Sequence, residues 1–79
     1  MKVLFFAQSR EAAGRGDYSL EVKKPVTESE FWALVPAVFP ALEPHQKTAR
    51  LARGESYLQK GELLGPNDEV AVIPPVSGG

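Results

Sequence analysis

The sequence predicts an α+β fold, a mixed sheet of about five strands packed on one main helix, with a short flexible tail at the C-terminal end. Three observations carry that reading. Lys2–Ala7 and Asp68–Ile73 are apolar runs with β-branched or aromatic residues and the two-residue period of strands. A stretch opening at Thr27 carries apolar residues at helical spacing behind a capping signature. Glycine and proline cut the remainder into short pieces, too short for a second long helix.

In the first strand, Val3, Phe5 and Ala7 point one way and Leu4 and Phe6 the other, all of them apolar, which places this strand near the centre of a sheet. Ser9 is suited to cap a short turn through Arg10–Ala13, after which Gly14 and Gly16 let the chain reverse. Asp17–Val22 follows as an antiparallel neighbour, with Tyr18, Leu20 and Val22 alternating against Ser19 and Glu21. Lys23-Lys24-Pro25 ends it.

Thr27-Glu28-Ser29-Glu30 has the spacing of a capping box. Phe31, Leu34, Val35, Val38 and Phe39 then form the stripe expected to pack on the sheet. Pro36 removes the hydrogen bond to the Trp32 carbonyl and crowds it, at about 3 kcal/mol, so the helix is expected to end or bend before Phe39. Pro40 and Pro44 predict a non-helical connection from Ala41 to Gln46, with at most isolated turns. Thr48–Ala52 and Ser56–Leu58 flank Arg53-Gly54-Glu55 and pair as a short hairpin with Gly54 at positive φ. Gly61–Asn67 is a loop, and Gly65-Pro66-Asn67-Asp68 turns into the last strand. The order is β-β-α-β-β-β. With the first and last strands parallel at the centre, this is the β-grasp, ubiquitin-like fold.

The last strand ends at Pro74 and Pro75, which cannot donate to a ladder and favour an extended spacer. Residues 1–75 are therefore read as the domain and 76–79 as a tail. Gly78 and Gly79 lack Cβ atoms and suit a channel too narrow for other residues. Asp68-Glu69-Val70-Ala71-Val72-Ile73-Pro74-Pro75-Val76-Ser77-Gly78-Gly79 strongly resembles the C-terminal signature of the small, sulfur-carrying subunit of molybdopterin synthase. Lys2-Val3-Leu4-Phe5-Phe6-Ala7 with Arg10-Glu11 and Gly14 looks like that family's first strand and turn, so the resemblance spans the chain. The middle departs from it: Ala52-Arg53-Gly54-Glu55 stands where the family usually shows Val-Asn-Gly-Glu or Val-Asn-Gln, which bears on the local hairpin.

Composition narrows the function classes. Seventy-nine residues make one domain, and such a chain buries only about 60–65% of its unfolded surface. There is no cysteine, so disulfides, thiolate metal sites and a cysteine nucleophile are excluded. A net charge of −1 with interspersed signs argues against nucleic acid as a partner. The apolar run Val3–Ala7 is too short for a membrane span, and the expected location is cytoplasmic.

Candidate sites follow from the same reading. His45, the sole histidine, lies in a proline-rich connection and reads as a solvated loop residue, since a metal needs several converging ligands. Gly14-Arg15-Gly16 lacks the remaining parts of a phosphate loop and reads as turn glycines. Trp32 reads as half-buried against the connection, with an interface anchor as the alternative. Parity sends Phe6, Ala71 and Ile73 to the sheet face away from the helix, with Tyr57 joining from the hairpin. That face is either partly covered by the Leu63-Leu64 loop or left as a docking patch. The resemblance favours docking, since the family meets its large subunit through that face.

The resemblance further implies a sulfur carrier. A ubiquitin-activating-like enzyme would use ATP to adenylate the Gly79 carboxylate, and a sulfur donor would convert it to a thiocarboxylate. Pro74, Pro75, Val76, Ser77 and Gly78 would then thread the large subunit's channel, within a heterotetramer of two small and two large subunits. There the sulfur would be given up to turn cyclic pyranopterin monophosphate into molybdopterin. No cofactor and no metal is expected on this chain, which would serve as a co-substrate with catalytic groups supplied by its partners. A carrier for thiamine, cysteine or tRNA thiolation, a ubiquitin-like modifier, and a plain β-grasp interaction module remain the alternatives.

Overall fold

The computed structural model describes residues 1–75; Val76, Ser77, Gly78 and Gly79, and with them what the sequence predicts for residues 76–79, lie outside the described residues. Strand β1 (Lys2–Phe5) leads into helix α1 (Ala7–Ala13), then β2 (Asp17–Ser19) and helix α2 (Glu28–Val38). A 3₁₀ helix (Pro40–Lys47) follows, then β3 (Arg50–Arg53), β4 (Ser56–Tyr57) and β5 (Glu69–Ile73). The five strands form one sheet in the order β2-β1-β5-β3-β4. β1 and β5 are parallel and every other pairing is antiparallel, which is the expected β-grasp.

The first strand ends at Phe5 rather than Ala7. Phe6 remains extended, and Ala7 takes φ 50° as the chain turns off the sheet into α1. A left-handed alanine costs on the order of 1–2 kcal/mol. The helix has no side-chain cap, and Ser9, expected to be one, is instead fully buried inside it. Gly14 closes α1 in the left-handed region at φ 75°, donating its N–H to the Arg10 carbonyl. β2 is shorter than the predicted Asp17–Val22. Its ladder ends at Ser19, and Leu20 then exchanges backbone bonds with Met1.

α2 opens on the complete capping box: the Glu30 N–H donates to Thr27 Oγ1 at 3.1 Å, and the Thr27 N–H donates to Glu30 Oε1 at 2.9 Å. The helix runs through Pro36 and stops at Val38, so it does end before Phe39. Its inward face is only partly the predicted one, since Phe31, Val35 and Phe39 pack inward as expected but Leu34 and Val38 do not. Phe31, Trp32 and Val35 are buried while Leu34 and Val38 stand exposed. Turning the helix so that the indole enters the core buries more apolar surface than seating Leu34 would. The connection is also more regular than expected. Pro40 needs no N–H at the start of a helix, and Pro40–Lys47 continues as a 3₁₀ helix that buries Leu42.

Between helix and sheet lies the core. The sheet contributes Val3, Phe5, Leu51, Val70 and Val72, and α2 contributes Phe31, Trp32 and Val35. Phe39 packs edge-on against Phe5 and Tyr18, at 5.4 and 5.0 Å between ring centroids. Each fully buried aliphatic or aromatic side chain is worth about 1.5–3 kcal/mol. The loop before β5 is part of this layer. Leu64 is fully buried and bridges Val26, and the Arg53 guanidinium holds the loop through Glu62, Asp68 and the Leu63 carbonyl.

Candidate functional site

The end of β5 is held from both sides. Its ladder with β1 pairs Leu4 with Ala71 and Phe5 with Val72, and its ladder with β3 pairs Ala52 with Ala71 and Arg50 with Ile73. Alternation therefore puts Val70 and Val72 in the core, wholly buried, and Ala71 and Ile73 on the opposite face, half-buried. Pro74 is still buried, and Pro75 is exposed. The anchored strand thus delivers the chain to the surface within two residues of its last ladder pair.

The registers align Leu4, Ala71, Ala52 and Tyr57 in one row across four strands on the outer face. Tyr57 is 44% exposed at one end, and Phe6, extended just past β1, is 47% exposed. Thr48, Arg50, Tyr57, Ile73, Pro74 and Pro75 line a shallow groove where β5 ends. The Arg50 guanidinium carbon stands 3.9 Å from the Tyr57 ring centroid, a cation–π stack along the groove. The structure thus brings Tyr57, Ala71 and Ile73 onto one face with Phe6 at its margin, and leaves Gly79, Gly78, Ser77 and Val76 outside the described residues.

The loop that could have covered this face lies elsewhere. Arg53 pairs with Val70 and so sits on the helix side of the sheet, where it grips the Glu62–Asp68 segment. Leu64 enters the core from that side. Leu63 is exposed but lines none of the outer-face grooves. Sequence reasoning missed Arg50 and Ala52. Parity along one strand cannot say which β3 residue stands opposite Ile73, and only the β3–β5 register does.

His45 is half-buried rather than solvated, and its Nδ1 lies 3.3 Å from Ser9 Oγ, tying the 3₁₀ helix to α1. Trp32 is buried in the core, only 4% exposed, against the half-buried place expected. Its Nε1–H has no partner, at a desolvation cost of about 1–3 kcal/mol. No group of three or more His, Cys, Asp or Glu able to hold a metal occurs among the described residues. Nor is any helix among them long and apolar enough to cross a membrane. The Glu30 carboxyl is held below its ordinary value by the Thr27 backbone N–H and then by the Thr27 side chain, a helix-capping effect far removed in role from this face.

Comparison with known proteins agrees with the geometry along the whole chain. The molybdopterin synthase sulfur carrier subunit of Chlamydomonas reinhardtii is 41% identical over 81 residues, covering 100% of this chain and 98% of that protein. The protein of the same name from Arabidopsis thaliana is 35% identical over 79 residues, covering 100% and 82%. Among solved structures, SAMP1 of Haloferax volcanii, a small archaeal modifier protein, superposes with a TM-score of 0.82 at 27% identity over 99% of this chain and 97% of its own. The family model that matches does so from residue 3 to residue 79, from β1 through the last glycine, and the chain belongs to the ThiS family.

Proposed function

We propose that this chain is the sulfur carrier of molybdopterin synthase, with Gly79 as the residue that bears the sulfur. What carries the reading is similarity from end to end with proteins named as that subunit, including 41% identity across the whole chain. The outer sheet face supports it: Tyr57 is exposed there, Ala71 and Ile73 are half-buried, and a groove opens beside them at the root of the C-terminal segment. A surface of that kind suits a large subunit, into whose channel Pro75, Val76, Ser77 and Gly78 would reach, while Pro74, expected from the sequence to enter the channel too, is buried against the domain and stays with the sheet.

An α-carboxylate is not an electrophile until it is activated. ATP on a separate adenylating enzyme supplies the activation: the Gly79 carboxylate attacks the α-phosphorus, pyrophosphate leaves, and an acyl-adenylate forms. A sulfide-level donor sulfur then attacks the acyl carbon, AMP leaves, and a thiocarboxylate forms. Two such thiocarboxylates are used per pyranopterin, whose dithiolene needs two sulfurs, and water returns each Gly79 to the carboxylate. This chain brings the reactive terminus and the docking face, while the general acid–base groups belong to its partners.

The test is thiocarboxylate formation with the adenylating enzyme, followed by dithiolene synthesis with the large subunit. Deleting Gly79 withdraws the acyl carbon by about 3.3–3.6 Å, and chemistry sensitive to about 1 Å should all but stop. Wild-type turnover by that deletion in both steps would remove the carrier reading. Similarity to SAMP1 keeps a second reading, a ubiquitin-like modifier. Recovery of the chain joined through Gly79 to lysines of other proteins would favour it.

A further inference from the structure

Arg50 is exposed, yet its place is defined on two sides. It is the ladder partner of Ile73, and its guanidinium lies over the Tyr57 ring. Among the described residues it has no carboxylate partner, whereas Arg53, three positions on in the same strand, pairs with Glu62 and Asp68. Glu55, on the neighbouring hairpin turn, also stands on this side of the sheet but forms no ion pair with it. A guanidinium stacked on a ring keeps its N–H donors in its own plane, at the rim of the ring, free for a bidentate acceptor.

We infer that Arg50 is the charge-reading residue of the docking face and takes a carboxylate of the protein partner where the C-terminal segment leaves the sheet. The inference rests on the docking reading above and deepens it. A partner laid over Ile73, Tyr57 and Pro75 must strip water from the cation between them. A desolvated charge left unpaired opposes binding strongly, while one met by a carboxylate supports it. The Tyr57 stack has already restricted the arginine stem, so less rotamer freedom is lost on pairing. A surface presenting lysine or an apolar group at this point is rejected, which separates the cognate large subunit from unrelated proteins.

The experiment titrates the cognate large subunit into wild type, Arg50→Gln, Arg50→Glu and Phe6→Asp by calorimetry, at low and at high salt, with urea unfolding of each variant. Loss of the pair should weaken binding about 10-fold for R50Q and about 100-fold or more for R50E. R50Q should also bind with a flatter salt dependence than wild type, and its urea midpoint should fall only slightly, because the side chain is exposed and its stack on Tyr57 is a surface contact. If R50Q and R50E bind as wild type while Phe6→Asp does not, no carboxylate meets Arg50, and the inference falls while the docking face stands. If Phe6→Asp also binds as wild type, the docking reading itself fails and this inference with it. Weakened binding confined to variants that urea shows to be partly unfolded under the titration conditions overturns it as well.

Discussion

Phe5 and Phe6 are neighbours in sequence, Phe5 on the core face of β1 and Phe6 just past the strand at the margin of the outer face, so the same substitution at each separates folding from docking. Phe5 is 2% exposed and packs on Phe39, whereas Phe6 is 47% exposed. Phe5→Asp forfeits about 3–5 kcal/mol of packing and buries an unpaired carboxylate at several kcal/mol more. That total rivals the 5–15 kcal/mol by which small domains are stable, so Phe5→Asp should be unfolded. Full burial of a phenylalanine is worth roughly 1.5–3 kcal/mol, and Phe6 realises about half of it in the free chain, so Phe6→Asp should cost only about 1 kcal/mol of stability. Docking would claim the other half and would also desolvate the new carboxylate. Affinity for the large subunit should then fall by about 3 kcal/mol or more, over a hundredfold. Urea unfolding and calorimetric titration on the same preparations read both quantities. Unchanged binding by folded Phe6→Asp, or an unfolding midpoint as low as that of Phe5→Asp, would refute the division of the two faces.

Thr27→Ala removes the hydroxyl that accepts the Glu30 N–H and should cost about 1 kcal/mol in urea unfolding. Because the folded pKa of Glu30 is depressed below 4.5, its contribution is fully present above that pH and is lost as pH falls through the folded value. Wild type should therefore lose stability more steeply than Glu30→Gln in acid, and parallel curves would count against the capping box as a source of stability. Pro36→Ala restores a helix N–H inside α2 and should stabilise the fold by about 1–3 kcal/mol, without lengthening a helix that Pro40 follows, as melting and circular dichroism would show. Trp32→Phe exchanges a small cavity for removal of the unpartnered Nε1–H and should change stability by no more than about 1 kcal/mol, against about 3–5 for Trp32→Ala. A loss from Trp32→Phe as large as that from Trp32→Ala would mean that the indole N–H is satisfied in solution.

What the sequence by itself determined was local or periodic. Val3–Phe5 and Val70–Ile73 read as strands because they are short apolar runs rich in β-branched and aromatic residues, and parity divides their side chains between two faces. Thr27 and Glu30 mark the start of α2 because capping acts across three residues, and Gly54 marks the hairpin because φ 62° suits a residue without Cβ. The C-terminal segment proposed to bear the sulfur is also a matter of adjacency, a strand followed by two prolines and, two residues on, two glycines. Tertiary structure decided whatever depends on a partner distant in sequence. Helical spacing alone allowed either Leu34 or Trp32 to face the sheet, and the space beside Phe31 and Val35 took the indole. Ser9 could not be read as a buried tie to His45, since 36 positions separate them. Arg50 became a neighbour of the tail root only when β3 and β5 settled into register, because a slip of one residue would have turned its side chain to the core.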